Sequence, residues 1–557
     1  MNQPTHKGSS QPQPVSVDSP SIGVVQSAGI MSAAVLLSRV TGLGREMFLA
    51  RLFGAGMEFE AYRLGFLIPN LARDLFAEGA LSSAFVPTFT ETLATKGKQA
   101  AARLSNLVTT AVILVVGGIC LLGVVFAPQL VGLFPGFQLV PGKTELAVHL
   151  TRIMFPFLLL VALAAQVMGV LNSCNQFGIP ALASSFFNIT SVVFGFVFGF
   201  WAGPWIGMMP IEGMAWGVVL GGALQFACQL PSYYEKGFSF RLAWDPSHPG
   251  LRHIIRLMGP AILGGAAVQI NVMMNTSFAT YLQDPVRGAN GPVSWLTWAF
   301  RFMQLPIGLF GVALASATLP SITRSFVSGN QDEFRRTLSR SLAVVFLLTV
   351  PSSIGLVVLG RQMISAIYEG GKFDAYDTQQ TALALSCYAV GLAGYAGVKI
   401  LNPAFYALKD SRTPMMISMA SVLINFVAAS AMLRWASFGH STLALTTSTV
   451  ALFNFIALFW ILRNRIGGVY GRDLASSTGR VALAAVGMGV LTAMLQLGVE
   501  AWLGQSRLSS IVALAVCIPA GVSVFYGACR LLQVPELELA VSGVVAPFRR
   551  YLGRRSA

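Results

Sequence analysis

The sequence predicts an all-α protein that crosses a membrane about fourteen times. Of its 557 residues, 54% are hydrophobic and 11% are charged, whereas soluble domains carry about 25% charged residues. The apolar residues form long segments, each with enough residues to cross about 30 Å of hydrocarbon as a helix. The period-two alternation that is typical of membrane β-barrels is absent. A soluble globular fold is therefore excluded.

The predicted membrane helices follow one another along most of the chain. The apolar segments lie near 24–52, 60–92, 104–129, 147–172, 181–203, 213–234, 252–282, 293–323, 339–360, 378–407, 413–434, 441–462, 478–499 and 508–530. The stretches between them are short, so we expect a multi-pass helix bundle with small loops on both sides.

Basic residues are concentrated in alternate loops. If the N-terminus is cytoplasmic, the inner loops and tails hold 23 of the 37 lysines and arginines, and the outer loops hold 6. This bias satisfies the positive-inside rule with both termini in the cytoplasm, which requires an even number of spans. Because the net charge of +15 is spread over many short loops, no nucleic-acid partner is predicted.

Two pairs of segments indicate an internal repeat. ALSSAFVPTFT (80–90) matches ALASATLPSIT (313–323), and VLNSCNQFGIPAL (170–182) lies opposite FYALKDSRTPMM (405–416) at nearly the same shift along the chain, with Pro180 aligned to Pro414. Both copies begin on the same side, so we expect parallel repeats related by a pseudo-twofold axis along the membrane normal. Transporters built in this way place the substrate at the interface of the repeats.

The repeat and the tails divide the chain into five predicted parts. The first 20 or so residues are rich in Pro, Gln and Ser, a composition that favours disorder. The parts are a disordered cytoplasmic tail at 1–21, an N-lobe of six helices at 22–236, a C-lobe of six helices at 237–465, two C-terminal helices at 466–535 and a second cytoplasmic tail at 536–557.

The first two predicted helices carry an unusual number of charges. An arginine at the centre of a bilayer costs roughly 2.5–3.5 kcal/mol on the insertion scale, so several arginines there must face a wet cavity inside the bundle. The arginines of these helices are Arg39, Arg45, Arg51, Arg63 and Arg73, and the acids are Glu46, Glu60, Asp74 and Glu78. A cationic cavity indicates an anionic cargo and therefore transport.

Spacing groups these charges into faces. Ser38, Gly42 and Arg45 share one face of the first helix, and Glu60, Arg63, Asn70 and Asp74 form a stripe on the second. Arg301, in the eighth helix, has no acid within about 15 residues along the chain. We expect Arg45, Arg73 and Arg301 to converge on one anion with Arg39 nearby, since arginine donates two parallel N–H groups to phosphate oxygens.

A structural alternative remains open for some of these charges. Arg39 with Glu46, and Arg63 with Glu60, could form static salt bridges between or within the helices. Lys399, the only charge of the tenth helix, could contact the cargo or extend its ammonium group toward a nearby interface.

Signals of catalysis or metal binding are poor. The six cysteines lie in or beside apolar segments without Cys-x-x-Cys pairing, and the five histidines lack the spacing of metal ligands. The phosphate-binding loop motif is absent, so ATP hydrolysis is not predicted. We therefore expect no enzyme activity, no metal site and no cofactor.

Several blocks of the sequence resemble the MurJ (MviN) family of bacterial lipid II flippases, within the multidrug/oligosaccharidyl-lipid/polysaccharide exporter superfamily. The resemblance extends over nearly the whole chain beyond residue 22 or so. The blocks are SRVTGLGRE (38–46), ARLFGAGMEFEAY (50–62), IPNLARDLFAEGALSSAFVP (68–87), MGPAILG (258–264), LPIGLFGVALASATLPS (305–321) and NPAFYALKDSRTP (402–414).

The resemblance implies a function and a set of residues. A member of this family moves undecaprenyl-diphosphate-linked disaccharide-pentapeptide from the cytoplasmic to the periplasmic leaflet of the bacterial inner membrane, for cell-wall synthesis. Membrane lipids and the cell-wall synthesis machinery are implied partners. The implied cavity arginines are Arg39, Arg45, Arg73 and Arg301, and other motif positions are Ser38, Asn70 and Glu78, with Glu60 where the family usually has Asp.

The resemblance leaves the driving force and two rival functions to be weighed. Some relatives bind sodium through acids of the seventh and eleventh helices, but here 252–282 and 413–434 offer only Asn271, Asn275 and Asn425 as neutral ligands. Coupling to the membrane potential is the alternative. A multidrug exporter of the same superfamily would favour a negative cavity, and an enzyme acting on a polyprenyl phosphate would need paired acids or a general base.

Overall fold

The computed structural model describes residues 22–435 and 439–541. Those residues are helical almost throughout and include no β-strand, only two isolated bridges between extended residues. The predicted all-α membrane class is confirmed. The predicted tail at 1–21, and the part of the second tail from 542 to 557, lie outside the described residues.

The helices have the following bounds, in chain order. The α-helices are α1 (Ile22–Phe53), α2 (Met57–Arg73), α3 (Ser82–Val125), α4 (Ala127–Gly132), α5 (Lys143–Met154), α6 (Pro156–Ser173), α7 (Gly178–Phe196), α8 (Pro210–Ala227), α9 (Leu230–Glu235), α10 (Pro249–Tyr281), α11 (Pro292–Pro306), α12 (Ala313–Val327), α13 (Gln331–Tyr368), α14 (Ala375–Val390), α15 (Leu392–Ala407), α16 (Arg412–Trp435), α17 (His440–Arg465), α18 (Gly471–Leu503) and α19 (Arg507–Leu531). Wider π-helical turns occupy Asp74–Leu81, Val197–Ala202 and Ile307–Val312, and 3₁₀ turns occupy Pro135–Leu139 and Gly203–Ile206.

Most of the predicted spans are found as apolar helices. Within the described residues, ten helices are long and apolar enough to cross a membrane, and the number is twelve if α10 and the pair α14–α15, each bent by 44°, count as single spans. The two other predicted spans, 24–52 and 60–92, correspond to α1 and to α2 with the turns that follow it. These two segments are not among the twelve, and the total of fourteen stays a prediction.

Backbone irregularities recur at the shift of the sequence repeat. π-Helical turns begin at Asp74 and at Ile307, at the same shift that aligns the segment 80–90 with 313–323. Asn175 and Lys409, at the same shift as Pro180 and Pro414, both adopt φ = 58°, and each lies shortly before the next membrane helix. Because these irregularities occur at corresponding positions, the two halves share local backbone conformations as well as a hydrophobic pattern.

Packing shows how the helices are connected. The last two helices pack on each other and on α13, around a small core that includes Leu347, Val481 and Cys529. Helix α10, the first of the predicted C-lobe, packs against α16 and also against α3 and the π-helical turn Asp74–Leu81. It therefore links the two halves of the molecule.

We predict that Gly97→Ala lowers the free energy of unfolding by about 1–3 kcal/mol, because the backbone at Gly97 (φ 80°, ψ 178°) favours glycine strongly. Among the described residues, no neighbouring atom lies within 4 Å of the position that the new Cβ would take, so backbone strain alone is tested. Thermal unfolding of the purified protein in detergent gives the change.

Gly118→Ala is the matched control for that substitution. Gly118 lies in the same helix, is equally open to a Cβ, and has no positive φ. Alanine in a regular helix is favoured over glycine, so stability should stay equal or rise slightly. A similar loss in both variants would show that the backbone turn at Gly97 is not the cause.

Candidate functional site

A cavity of about 250 Å³ lies between helices of the two halves. It is bounded by α1 and α7 on one side and by α11 and α13 on the other. The residues that line it are Ser38, Arg39, Gly42, Leu43, Arg45, Glu46, Asn188, Arg301, Phe302, Gln304, Leu305 and Tyr368. Four residues that the sequence assigned to the site, Ser38, Arg39, Arg45 and Arg301, are therefore brought together.

Helix α1 approaches α7 closely at the wall of this cavity. Asn188 of α7 donates its Nδ2 to the carbonyl oxygen of Ser38 at 3.2 Å. A Cβ on Gly42 would lie 3.3 Å from that same nitrogen, so the absence of a side chain at residue 42 allows the contact. The face of Ser38, Gly42 and Arg45 points into the interface as its helical spacing predicts.

A single carboxylate joins the two halves at the centre of the site. Oε1 of Glu46 accepts a hydrogen bond from Nη2 of Arg301 at 2.8 Å and from Nη2 of Arg45 at 3.4 Å. Glu46 is buried, with 4% of its surface exposed. Arg301 thus has an ion-pair partner on α1, 255 residues away in the sequence. The sequence near Arg301 gave no indication of this partner.

Arg45 is held by aromatic rings and retains unused donors. Its guanidinium carbon lies 5.2 Å from the ring centroid of Phe187 and 5.7 Å from that of Phe66, within the range of cation–π attraction. Its Nε and Nη1 atoms are buried and have no hydrogen-bond partner in the described part of the chain. A buried guanidinium with free N–H groups is ready to accept an anion.

Arg39 extends the positive charge of the cavity toward the second half. It is exposed, and its Nη2 lies 3.1 Å from the position of a Cβ on Gly308, in the π-helical turn Ile307–Val312. The side chain of Arg301 is also 42% exposed. Three guanidinium groups therefore line the cavity beside one carboxylate, which leaves an excess of positive charge.

Arg73 and Asn70, which were predicted to belong to the site, lie outside the cavity. Arg73 donates Nε and Nη2 to Oδ1 of Asp74 at 3.2 and 2.8 Å, and Nδ2 of Asn70 is 3.5 Å from the other oxygen of Asp74. Neither Arg73 nor Asn70 lines the cavity, so the expected convergence of Arg73 with Arg45 and Arg301 is not seen here. The side chain of Glu78 lies outside the part of the chain that the structure describes.

The structure places Glu60 in a different setting from the one expected of a substrate ligand. Glu60 and Lys143 are both fully buried, and Oε2 and Nζ are 2.5 Å apart. Oε1 also accepts hydrogen bonds from the backbone N–H groups of Gly291 and Ser294 at 3.0 and 3.2 Å. With its oxygens saturated and no solvent contact, Glu60 connects the two halves and does not face the cavity.

Neither of the salt bridges considered from the sequence is formed among the described residues. Glu46 pairs with Arg45 and Arg301 and not with Arg39, and Glu60 pairs with Lys143 and not with Arg63. Lys143 was missed because an isolated lysine in a loop is indistinguishable from one that sets topology. Asn188 had a signal, a polar amide inside an apolar span, whereas Tyr368 had none.

One end of the cavity is sealed by contacts between the halves. This is the end at which α1 finishes and α2 begins, predicted to be the outer end. There, Lys372 donates its backbone N–H to the carbonyl of Arg51 at 2.8 Å, and Nη2 of Arg51 donates to the carbonyl of Ile367 at 2.9 Å. The rings of Phe59 and Trp298 stack with centroids 4.4 Å apart. Arg51 is thus part of the seal.

Comparison with known proteins identifies the family. The family model described as lipid II flippase MurJ matches residues 49–513. The chain belongs to the MurJ family. A lipid II flippase MurJ of Burkholderia cenocepacia is 34% identical over 79% of this chain and 83% of its own length. A probable lipid II flippase MurJ of Vibrio cholerae is 32% identical over 93% of this chain and 97% of its own.

Solved structures support the same fold. An inward closed conformation of lipid II flippase MurJ superposes with a TM-score of 0.73 and 24% identity, covering 90% of this chain and 99% of that one. An inward-facing multidrug transporter of the MATE family gives a TM-score of 0.66 at 14% identity, covering 79% and 98%. The resemblance seen in the sequence blocks is confirmed, and MurJ and MATE proteins share one architecture.

We predict that Lys143→Met destabilises the protein by about 3–5 kcal/mol, because it leaves the buried carboxylate of Glu60 without its counter-charge. Adding Glu60→Gln should recover much of the loss, since the uncompensated charge is then removed. Thermal unfolding of the single and double variants in detergent measures both effects.

Lys372→Met is the control for the buried pair. Lys372 pairs with Glu58 at 3.3 Å at the same end of the molecule, but its side chain is 63% exposed. An exposed ion pair contributes about 0–1 kcal/mol. If Lys143→Met cost no more than Lys372→Met, the buried pair would not be the connection described above.

Proposed function

We propose that this protein is a lipid II flippase, which moves the undecaprenyl-diphosphate-linked peptidoglycan precursor across the membrane. Membership of the MurJ family supports the assignment. One observation carries it chemically: Arg39, Arg45 and Arg301 line a cavity between the two halves with a single carboxylate among them. An excess of guanidinium donors suits a diphosphate, whose oxygens can accept several paired N–H groups.

The geometry suggests how the cargo could be exchanged for an internal partner. Glu46 occupies one donor of Arg45 and one donor of Arg301. Nε and Nη1 of Arg45 remain free for the incoming diphosphate. As the diphosphate gathers more of the donors, it weakens the link through Glu46 between α1 and α11. Cargo binding is thereby coupled to separation of the two halves.

We further propose the direction of movement and the location. The bias of basic residues toward alternate loops supports an inner-membrane protein with both termini in the cytoplasm, and in that orientation the sealed end of the cavity faces the periplasm. Cargo then enters from the cytoplasmic side and leaves when the contacts around Glu60 and Arg51 open. The partners are lipid II, the surrounding membrane lipids and, by the chemistry of the product, the cell-wall synthesis machinery.

A drug exporter is the second candidate, and the cavity argues against it. The MATE structures share the fold at 14% identity, which carries no information on cargo. A cavity for cationic drugs needs an unpaired acid, whereas Glu46 is engaged by two arginines. A positively charged cavity repels such cargo.

We propose that the asparagine cluster between α10 and α16 does not bind sodium. Nδ2 of Asn425 donates to Oδ1 of Asn271 at 2.7 Å and to Oδ1 of Asn275 at 2.8 Å. The amide hydrogens of Asn425 thus satisfy the oxygens of Asn271 and Asn275, and in this cluster Oδ1 of Asn425 is the oxygen left buried without a hydrogen-bond partner among the described residues. Among the described residues no group of three acidic, histidine or cysteine side chains could hold a metal ion. The membrane potential is the proposed driving force.

Replacing sodium with potassium in reconstituted vesicles should leave the flipping rate unchanged, whereas collapsing the membrane potential should reduce it. The expected result follows from the neutral, internally hydrogen-bonded cluster. A rate that depends on sodium in the wild type and becomes independent of it in Asn425→Ala would overturn this part of the proposal.

Binding of lipid II tests the main assignment. Arg45→Ala and Arg301→Ala should each weaken binding about ten- to a hundredfold, since a hydrogen bond to a charged group is worth about 1.5–3 kcal/mol. Arg39→Ala should also weaken it, and this exposed residue forms no ion pair in the described part of the chain, so folding is preserved. Titration of purified protein with lipid II, bare polyprenyl diphosphate and a cationic dye gives the affinities.

Arg152→Ala is the control for charge. Arg152 is an exposed arginine of α5 that donates to the carbonyl of Val124 away from the cavity, so its loss should leave lipid II binding unchanged. Lipid II binding by Arg73→Ala, measured in the same titration, tests whether Arg73 belongs to the site in another conformation. Dye binding without lipid II binding would assign the protein to the drug exporters instead.

A further inference from the structure

A second, larger cavity is separate from the arginine site. It is a groove of about 750 Å³ between α13, α17 and the start of α18, which we call the α17–α18 groove. Its lining includes Phe346, Phe455, Phe459, Leu474, Arg463 and Arg472. It shares no lining residue with the cavity around Glu46.

The floor of the groove is aromatic and aliphatic. The rings of Phe346 and Phe455 meet edge to face at 5.5 Å, and Phe455 stacks on Phe459 at 5.8 Å. Val469 and Leu474 continue this apolar surface. A volume of this size falls in the range of about 300–1,000 Å³ in which proteins hold small ligands, and the lining suits a hydrocarbon chain.

Two arginines lie at one end of the groove without acidic partners. Neither Arg463 nor Arg472 forms an ion pair with any described residue, although Asp473 follows Arg472 in the chain. Other arginines have acidic partners, since Arg465 pairs with Asp410 and Arg335 pairs with Asp332. The charge of Arg463 and Arg472 is therefore available to a ligand.

Aromatic residues indicate that this end of the groove lies at the membrane surface. Trp460 is 57% exposed, and the guanidinium of Arg463 lies 5.2 Å from its ring centroid. Tyr470 is also exposed, beside Arg336. Trp and Tyr are enriched at the level of lipid headgroups. Helix α18 begins here, at Gly471, so the positive end of its dipole adds to the two arginines.

We propose that the α17–α18 groove binds an anionic phospholipid from the leaflet on the basic side of the membrane. The headgroup phosphate lies between Arg463 and Arg472, and an acyl chain lies along Phe346, Phe455 and Phe459. Basic pockets between membrane helices at the cytoplasmic side suit such headgroups. The bound lipid fills the space between α17 and α18 and supports the attachment of the last two helices to the C-lobe.

Counting bound lipid on the purified full-length protein by native mass spectrometry tests this site. Phosphatidylglycerol is titrated against phosphatidylcholine in a neutral detergent. The double variant R463Q/R472Q should bind phosphatidylglycerol about tenfold more weakly than the wild type. Ala475→Trp, which keeps both arginines but places an indole ring in the groove, should also lose binding. Phosphatidylcholine binding should be weak in all of them.

The control removes the same charge elsewhere on the basic side. Arg241 and Arg256 are exposed and lie outside the groove, so R241Q/R256Q should bind phosphatidylglycerol as the wild type does. Equal binding by all variants would show that the lipid is held by general surface charge, and the proposal fails. Loss of lipid II binding with unchanged phosphatidylglycerol binding in R463Q/R472Q would also overturn it, because the groove would then serve the cargo.

Discussion

The shared carboxylate of Glu46 is the interaction on which the rest of this structure depends. It lies in a membrane-spanning bundle, where a charge without a partner is costly. It pairs with Arg45 of its own helix and with Arg301 of the other half of the chain. This contact brings α1 to α11 and fixes which faces of the two helices line the cavity. It also leaves more guanidinium donors than carboxylate oxygens, and that excess gives the site its chemistry.

Two buried acids connect the halves of the molecule, and their surroundings give them different roles. Glu60 is saturated by Lys143 and by backbone N–H groups and has no access to solvent. Glu46 shares its arginines with a cavity in which donors of Arg45 remain unused. An incoming anion can therefore compete at Glu46 but cannot reach Glu60. In the proposed mechanism, the contact at Glu46 responds to cargo, and the contact at Glu60 holds the predicted outer end closed until the halves move.

Backbone irregularities occur at corresponding places in the two halves. The π-helical turns at Asp74–Leu81 and Ile307–Val312 occupy equal places in the repeat, and the second adjoins the guanidinium of Arg39 through Gly308. A π-helical turn interrupts the regular hydrogen bonding of a helix, and such turns are frequent at functional sites. Helix α10 packs on the first of these turns and bends by 44°. Events at the cavity can thus reach both lobes through adjoining helices.

The sequence alone was enough to predict the class of the protein, most of its spans, its internal repeat, its family and three of the four expected cavity arginines. Hydropathy, charge bias and motifs can be read directly from the order of residues. They are reliable signals here because a membrane penalises unpaired charges and backbone groups without hydrogen bonds. The ion-pair partners of the charged residues became known only from the packed structure. Arg301 pairs with Glu46 of α1, Glu60 pairs with Lys143 away from the cavity, and Arg73 pairs with Asp74. Ion pairing depends on distances of a few ångströms in space, and residues far apart in the sequence acquire those distances only when the helices pack.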